Sequence, residues 1–189
     1  MNELSLYILD LVQNSVTAGA KHIVITVHFD TAADTLEITI SDDGCGMSRE
    51  LLERVTSPFT TTRKTRKVGL GIPMIMQLTE MCEGKFDIQS RPGEGTKLTL
   101  GFQASHVDLP PMGSLSETML SLVNGTPEGI EFTLDYRVDG RGFDFSTEEV
   151  RQMLEGVPLN TPEVLSWIRD YIQQNIDETQ GGGSPQAEQ

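Results

Sequence analysis

The chain has 189 residues, 37% hydrophobic and 22% charged, which allows the packed core of one ordinary domain or two small ones. Its net charge of −14 is uneven: residues 1–103 carry 10 Lys and Arg against 13 Asp and Glu, and residues 104–189 carry 4 against 15. Phosphates would be repelled by the second part, which argues against nucleic acid as a partner. No apolar run is long enough to span a bilayer, so no membrane association is expected. The start MNELSLYILD lacks the basic residues and cleavage site of a signal peptide. Two isolated cysteines, Cys45 and Cys82, make neither a disulfide framework nor a zinc site, so a cytoplasmic location is expected.

The first element is a helix over residues 3–18, with Leu4, Ile8, Leu11, Val12 and Val16 at helical spacing and Gly19 near its end. HIVITVHF and TLEITIS then alternate apolar and polar residues, predicting two half-buried strands joined by DTAAD. After the loop DDGCGM, Ser48 can cap a short helix to about Val55. Residues 56–69 are polar, basic and without period, and a helix follows from Gly71 to Cys82. KFDIQS and TKLTLGF predict two more strands around the turn RPGEG. The order suggests an α+β fold, a two-layer sandwich with one mixed sheet and helices on one face.

The pattern changes after Phe102. Pro110, Pro111 and Gly113 mark residues 104–113 as a linker. Ser114 with Glu117, and Ser146 with Glu149, have the spacing of capping boxes for two helices. Between them IEFTLDYRV and GFDFS form a hairpin around Asp139-Gly140. TPEVLSWIRDYIQQNI is an amphipathic helix with Thr161 as cap, Pro162 in its first turn and an apolar stripe of Val164, Ile168, Tyr171 and Ile172. The division expected is residues 1–103 as one domain, 104–113 as linker, 114–178 as a small acidic α+β extension and 179–189 as a disordered tail.

Three stretches carry polar residues that a plain core does not need. Asp10 and Asn14 share one face of the first helix. On their own they read as a wet face. In DDGCG, two glycines follow a strand end and let a flat ligand approach the backbone, while an aspartate there can accept a hydrogen bond from an exocyclic amine. KVGLGIPM opens a helix with Gly-x-Gly, which frees backbone N–H groups for an anion, directly after the basic cluster TTTRKTRK.

These motifs, in this order, resemble the ATPase family that joins gyrase, the large heat-shock chaperone, histidine kinases and MutL. DLVQNSVTAGA and DDGCGM are similar to the MutL pattern. PFTTTRKTRKVGLGIPM is similar to the phosphate lid and second glycine box of histidine kinases, and GEGTKLTL to the closing strand. The resemblance covers residues 1–103 and implies the Bergerat ATP-binding fold, with ATP and Mg²⁺ as cofactors. It implies that Asn14 holds Mg²⁺, that Asp42 accepts the adenine amine with Thr96 in support, and that Gly44, Gly46 and Met47 make room for the base. It places Arg63 and Lys64 in a lid near the phosphates, with Gly69, Leu70 and Gly71 offering N–H groups to phosphate oxygens.

The chain also departs from the family. Hydrolysing members carry Glu where this chain has Asp10, one methylene shorter. A displacement of about 1 Å can cost about 100-fold in rate, so Asp10 is expected to be a slow base or only a holder of the metal's waters. No phosphoacceptor helix precedes the motif, so self-phosphorylation of the usual kind is not expected, and 86 residues from 104 on are too few for a MutL-type second domain. Three readings follow. The first is a slow Mg-ATPase that regulates a partner protein through the lid or residues 104–178. The others are a kinase acting in trans, like the anti-sigma-factor or histidine kinases, and an ATP sensor without chemistry.

Overall fold

A computed structural model describes residues 3–57 and 71–181. The elements are α1 (Leu4–Thr17), β1 (His22–Asp30), β2 (Thr35–Asp42), α2 (Arg49–Thr56), α3 (Gly71–Met81), β3 (Lys85–Arg91) and β4 (Gly95–Gln103). They continue with α4 (Leu115–Gly125), β5 (Glu131–Val138), β6 (Arg141–Ser146), α5 (Thr147–Met153) and α6 (Pro162–Gln180). The class is α+β, and the strands form one six-stranded mixed sheet in the order β3-β4-β2-β1-β5-β6.

Register explains the layering. Ile88, Leu98, Ile40, Ile25, Leu134 and Phe145 are successive cross-strand partners, so one apolar row crosses all six strands. Strand side chains alternate between faces. The neighbouring row on the opposite face reads Asp87, Thr99, Thr39, Thr26, Asp135 and Asp144. Helices cover the apolar face: α3 packs on α1, α1 on α4, and α4 on α6. The polar face carries its own network, in which Asp135 accepts from Arg137 Nε at 2.8 Å and lies 2.9 Å from His28 Nε2, while Arg137 also reaches Asp144 at 2.8 Å.

The acidic segment after residue 104 is not separate from this sheet. β5 pairs in parallel with β1 along its length, from His22 opposite Glu131 to Phe29 opposite Val138. Residues 104–113, expected to be a linker, also have a direct role. Leu4 and Ser5 donate their backbone N–H groups to Pro111 and Met112 carbonyls at 2.9 and 2.8 Å. Glu3, the residue before α1, makes no side-chain cap, so these carbonyls satisfy N–H groups that every helix start leaves open. Thr118 of α4 donates to the Ser5 carbonyl at 3.2 Å. The division into a nucleotide domain and an extension is thus a change of composition along the chain, and the sheet runs through it.

Capping follows the sequence closely. Ser48, Ser114 and Ser146 each accept an N–H three residues on. Thr161 differs: its hydroxyl donates to the Pro158 carbonyl at 2.6 Å and leaves the first turn of α6 uncapped by a side chain. Among the described residues, no helix is long and apolar enough to cross a membrane.

Candidate functional site: a cavity between α1 and the sheet end

A cavity of about 230 Å³ opens between α1 and the ends of β2, β3 and β4. Its walls are largely apolar, with Ile40, Met47, Ile72, Ile88 and Leu98 among them, and Asn14, Ser15, Asp42 and Thr96 supply polar groups. Such a lining, mostly apolar with a few placed polar groups, is that of a small-molecule pocket.

The loop after β2 is fixed from three sides. Cys45 donates its N–H to the Ala18 carbonyl at 2.9 Å, tying the loop to the end of α1, and Gly93 donates to the Cys45 carbonyl at 2.8 Å, tying it to the β3–β4 turn. Asp43 accepts from the N–H groups of Lys21 and His22 at 2.7 and 2.9 Å and lies 3.0 Å from His22 Nδ1. Those bonds, the His22 backbone N–H foremost, bring the Asp43 carboxyl down to about 2. Glycine is required at two points. Gly46 has φ +67° and Gly95 has φ +89°; a Cβ on either would fall 1.9 Å from a backbone oxygen, of Arg91 and Asp42 respectively. The strand ends therefore close around Asp42 through bare backbone.

Asp42 itself accepts two direct bonds. Ser15 Oγ donates to Oδ2 at 2.6 Å, and the Gly44 N–H donates to Oδ1 at 2.9 Å. Gly44 also lies against α1, since a Cβ there would stand 2.9 Å from the Ala18 Cβ. Thr96 is the ladder partner of Asp42, but its hydroxyl sits 2.7 Å from Ser90 Oγ, and Ser90 in turn accepts the Met47 N–H at 2.8 Å. The direct hydrogen bonds to the Asp42 carboxylate come from Ser15 and Gly44.

Of the residues singled out in the sequence, Asn14, Asp42, Gly46, Met47 and Thr96 line the cavity, and Gly44 underlies it. Asn14 Nδ2 is buried without a hydrogen-bond partner among the described residues. Gly71 opens α3 beside it, where a Cβ would lie 3.6 Å from Asn14 Nδ2 and from Asp10 Cβ. Asp10 is exposed and stands one turn from Asn14, outside the cavity lining. Arg63, Lys64, Gly69 and Leu70 lie outside the described residues. Sequence reading passed over Ser15, Ser90 and Gly95. For Ser15 a signal existed, since it directly follows Asn14 in a helix face otherwise apolar.

A model of the histidine kinase-, DNA gyrase B-, and HSP90-like ATPases matches residues 2–106. The chain belongs to that family and carries its ATP-binding domain. It is 30% identical over 99 residues to the sensor protein DegM of a Bacillus species, covering 52% of this chain and 26% of that protein. To the sensor protein kinase FleS of Pseudomonas aeruginosa it is 38% identical over 93 residues, covering 49% of this chain and 23% of FleS. The chain thus spans about a quarter of the length of these relatives. A solved structure of the catalytic domain of histidine kinase ThkA aligns with a TM-score of 0.40 at 24% identity, over 52% of this chain and 64% of that one.

Proposed function

We propose that the protein binds Mg-ATP in the cavity beside α1, hydrolyses it slowly and uses the bound state to regulate a partner protein. The observation that carries the reading is Asp42, a carboxylate held by Ser15 and Gly44 in a mostly apolar cavity. A carboxylate so placed accepts an exocyclic amine, and the apolar walls take the faces of a purine ring. The orphaned amide of Asn14 fits a ligand with polar atoms close to α1. Mg²⁺ takes oxygen ligands and keeps several waters, so it needs few protein groups besides phosphates. When bound it would neutralise phosphate charge and polarise the terminal phosphoryl group.

This chain's own residues supply the rest. The Asn14 side-chain oxygen would hold the cation. The family resemblance gives Gly69, Leu70 and Gly71 the role of offering N–H groups to phosphate oxygens, and gives Arg63 and Lys64 that of adding positive charge; of these only Gly71 lies within the described residues. Asp10 orients a water. One methylene shorter than Glu, it places that water less well, and turnover stays below about 1 per second against about 10 for a median enzyme. The partner meets residues 58–70 or the acidic surface of 104–178, in the cytoplasm.

Titration calorimetry with ATP, ADP and GTP, with and without magnesium, tests the reading. Magnesium-dependent ATP binding is expected, lost in Asn14→Asp; no binding of any nucleotide would end it. ADP release, measured with and without Asp10→Asn, separates slow hydrolysis from pure sensing. The kinship with proteins named as sensor kinases favours a second reading, transfer of phosphate to another protein. Incubation of labelled ATP with cell extract decides it, by whether a second protein acquires label.

A further inference from the structure

We propose that Ser15 is a positioning residue that sets purine choice, holding the Asp42 carboxylate in a plane suited to a 6-amino purine and unsuited to a 6-oxo purine. The inference rests on reading the cavity as a purine-nucleotide site.

Ser15 is 4% exposed and lies 27 residues before Asp42. A helical serine can satisfy its hydroxyl locally, on the carbonyl four residues back. Thr17 does so in the same helix, donating to the Gln13 carbonyl at 2.9 Å. Ser15 instead reaches across to Oδ2 of Asp42 at 2.6 Å, within the short range of a hydrogen bond to an ionised acceptor. The other oxygen, Oδ1, takes the Gly44 N–H at 2.9 Å. An ionised carboxylate offers about four acceptor positions, and here each oxygen has one filled. The two donors come from different elements, helix and loop. Rotating the carboxylate to free either oxygen breaks a bond to one of them.

That constraint separates the purines. Adenine presents an amine, which needs one acceptor. Guanine presents a carbonyl at the same position, and two carbonyl-like oxygens repel. Guanine's donors are its ring N–H and 2-amine, side by side. A carboxylate matches that pair only by turning both oxygens to it, in the manner of a fork. With Ser15 and Gly44 in place Asp42 does not turn.

The experiment is titration calorimetry of the full chain with ATP and with GTP, for the unmodified protein, Ser15→Ala and Ser15→Cys. Loss of a hydrogen bond to a charged group in Ser15→Ala is expected to weaken ATP binding at least about tenfold. GTP binding holds or improves, so the preference for ATP falls by at least as much as ATP binding does. Ser15→Cys, whose thiol is a weak donor, falls between, and it carries the comparison alone if Ser15→Ala does not fold. A packing role would weaken both nucleotides equally, and an unchanged ATP-to-GTP ratio in the variants overturns the proposal while leaving the nucleotide reading intact. Failure of the unmodified protein to bind either nucleotide overturns both.

Discussion

Replacing Leu134 by Ala tests whether the acidic segment and the nucleotide-binding segment fold as one. Leu134 is 0% exposed in β5, opposite Ile25 of β1 and Phe145 of β6. Its truncation leaves a cavity in the apolar row at the seam between the segments, and buried Leu→Ala changes cost about 2–5 kcal/mol. Against a total stability of about 5–15 kcal/mol, that is a large fraction. With a urea slope of about 1–3 kcal/mol per molar, the midpoint should fall by about 1 M or more. Trp167, the single tryptophan, lies in α6 stacked on Tyr171 at 5.1 Å, so its fluorescence reports the acidic segment. Far-ultraviolet circular dichroism reports the whole chain. Both probes should give one coincident transition, shifted equally by Leu134→Ala. Two transitions, or a shift confined to fluorescence, would refute the continuity of the sheet as an energetic statement.

Gly46→Ala should destabilise by at least about 2 kcal/mol, since it adds a steric conflict to the 1–2 kcal/mol of a left-handed residue; Gly19→Ala, at φ +75° with nothing within 4 Å, is the comparison that carries the conformational cost alone. Thermal or urea midpoints of the pair give the difference. Asp42→Asn can turn its oxygen to Gly44 and its amide to the Ser15 hydroxyl, which then accepts. Stability should therefore change by under about 1 kcal/mol while ATP affinity drops about tenfold or more; calorimetry beside urea unfolding checks both. Asp43, with its folded value of about 2 below the ordinary 3.8, stabilises the fold fully above pH 3.8 and loses that contribution as pH falls through about 2. Its side chain is 49% exposed, so Asp43→Asn should cost under about 1 kcal/mol at neutral pH and flatten the acid limb of a stability–pH curve.

Local rules made much of the molecule readable. Alternation in HIVITVHF and TLEITIS marked the buried faces of β1 and β2, and serine–glutamate spacing marked the starts of α4 and α5. What local rules do not carry is pairing. The parallel match of His22 to Glu131 joins residues 109 apart, and neither strand's alternation names its neighbour. Pro110, Pro111 and Gly113 read as a boundary because prolines and glycine break periodicity, yet the carbonyl of Pro111 serves the first turn of α1. The motif around Asp42 was legible as a motif. Ser15 stood out as a polar residue in an apolar face, but its bond to that carboxylate was not legible, since the two meet only after α1 packs on the end of β2.

The parallel ladder between β1 and β5 also sets a schedule for biosynthesis. Every residue named in the cavity wall is made by Leu98, while the strand that covers the open side of β1 ends at Val138. At about 5–20 residues per second, the ribosome takes roughly 2–8 s to bridge that interval. Throughout it, the backbone of β1 from Ile23 to Phe29 has no neighbour on one side, which makes those seconds the period of greatest exposure to strand-to-strand aggregation.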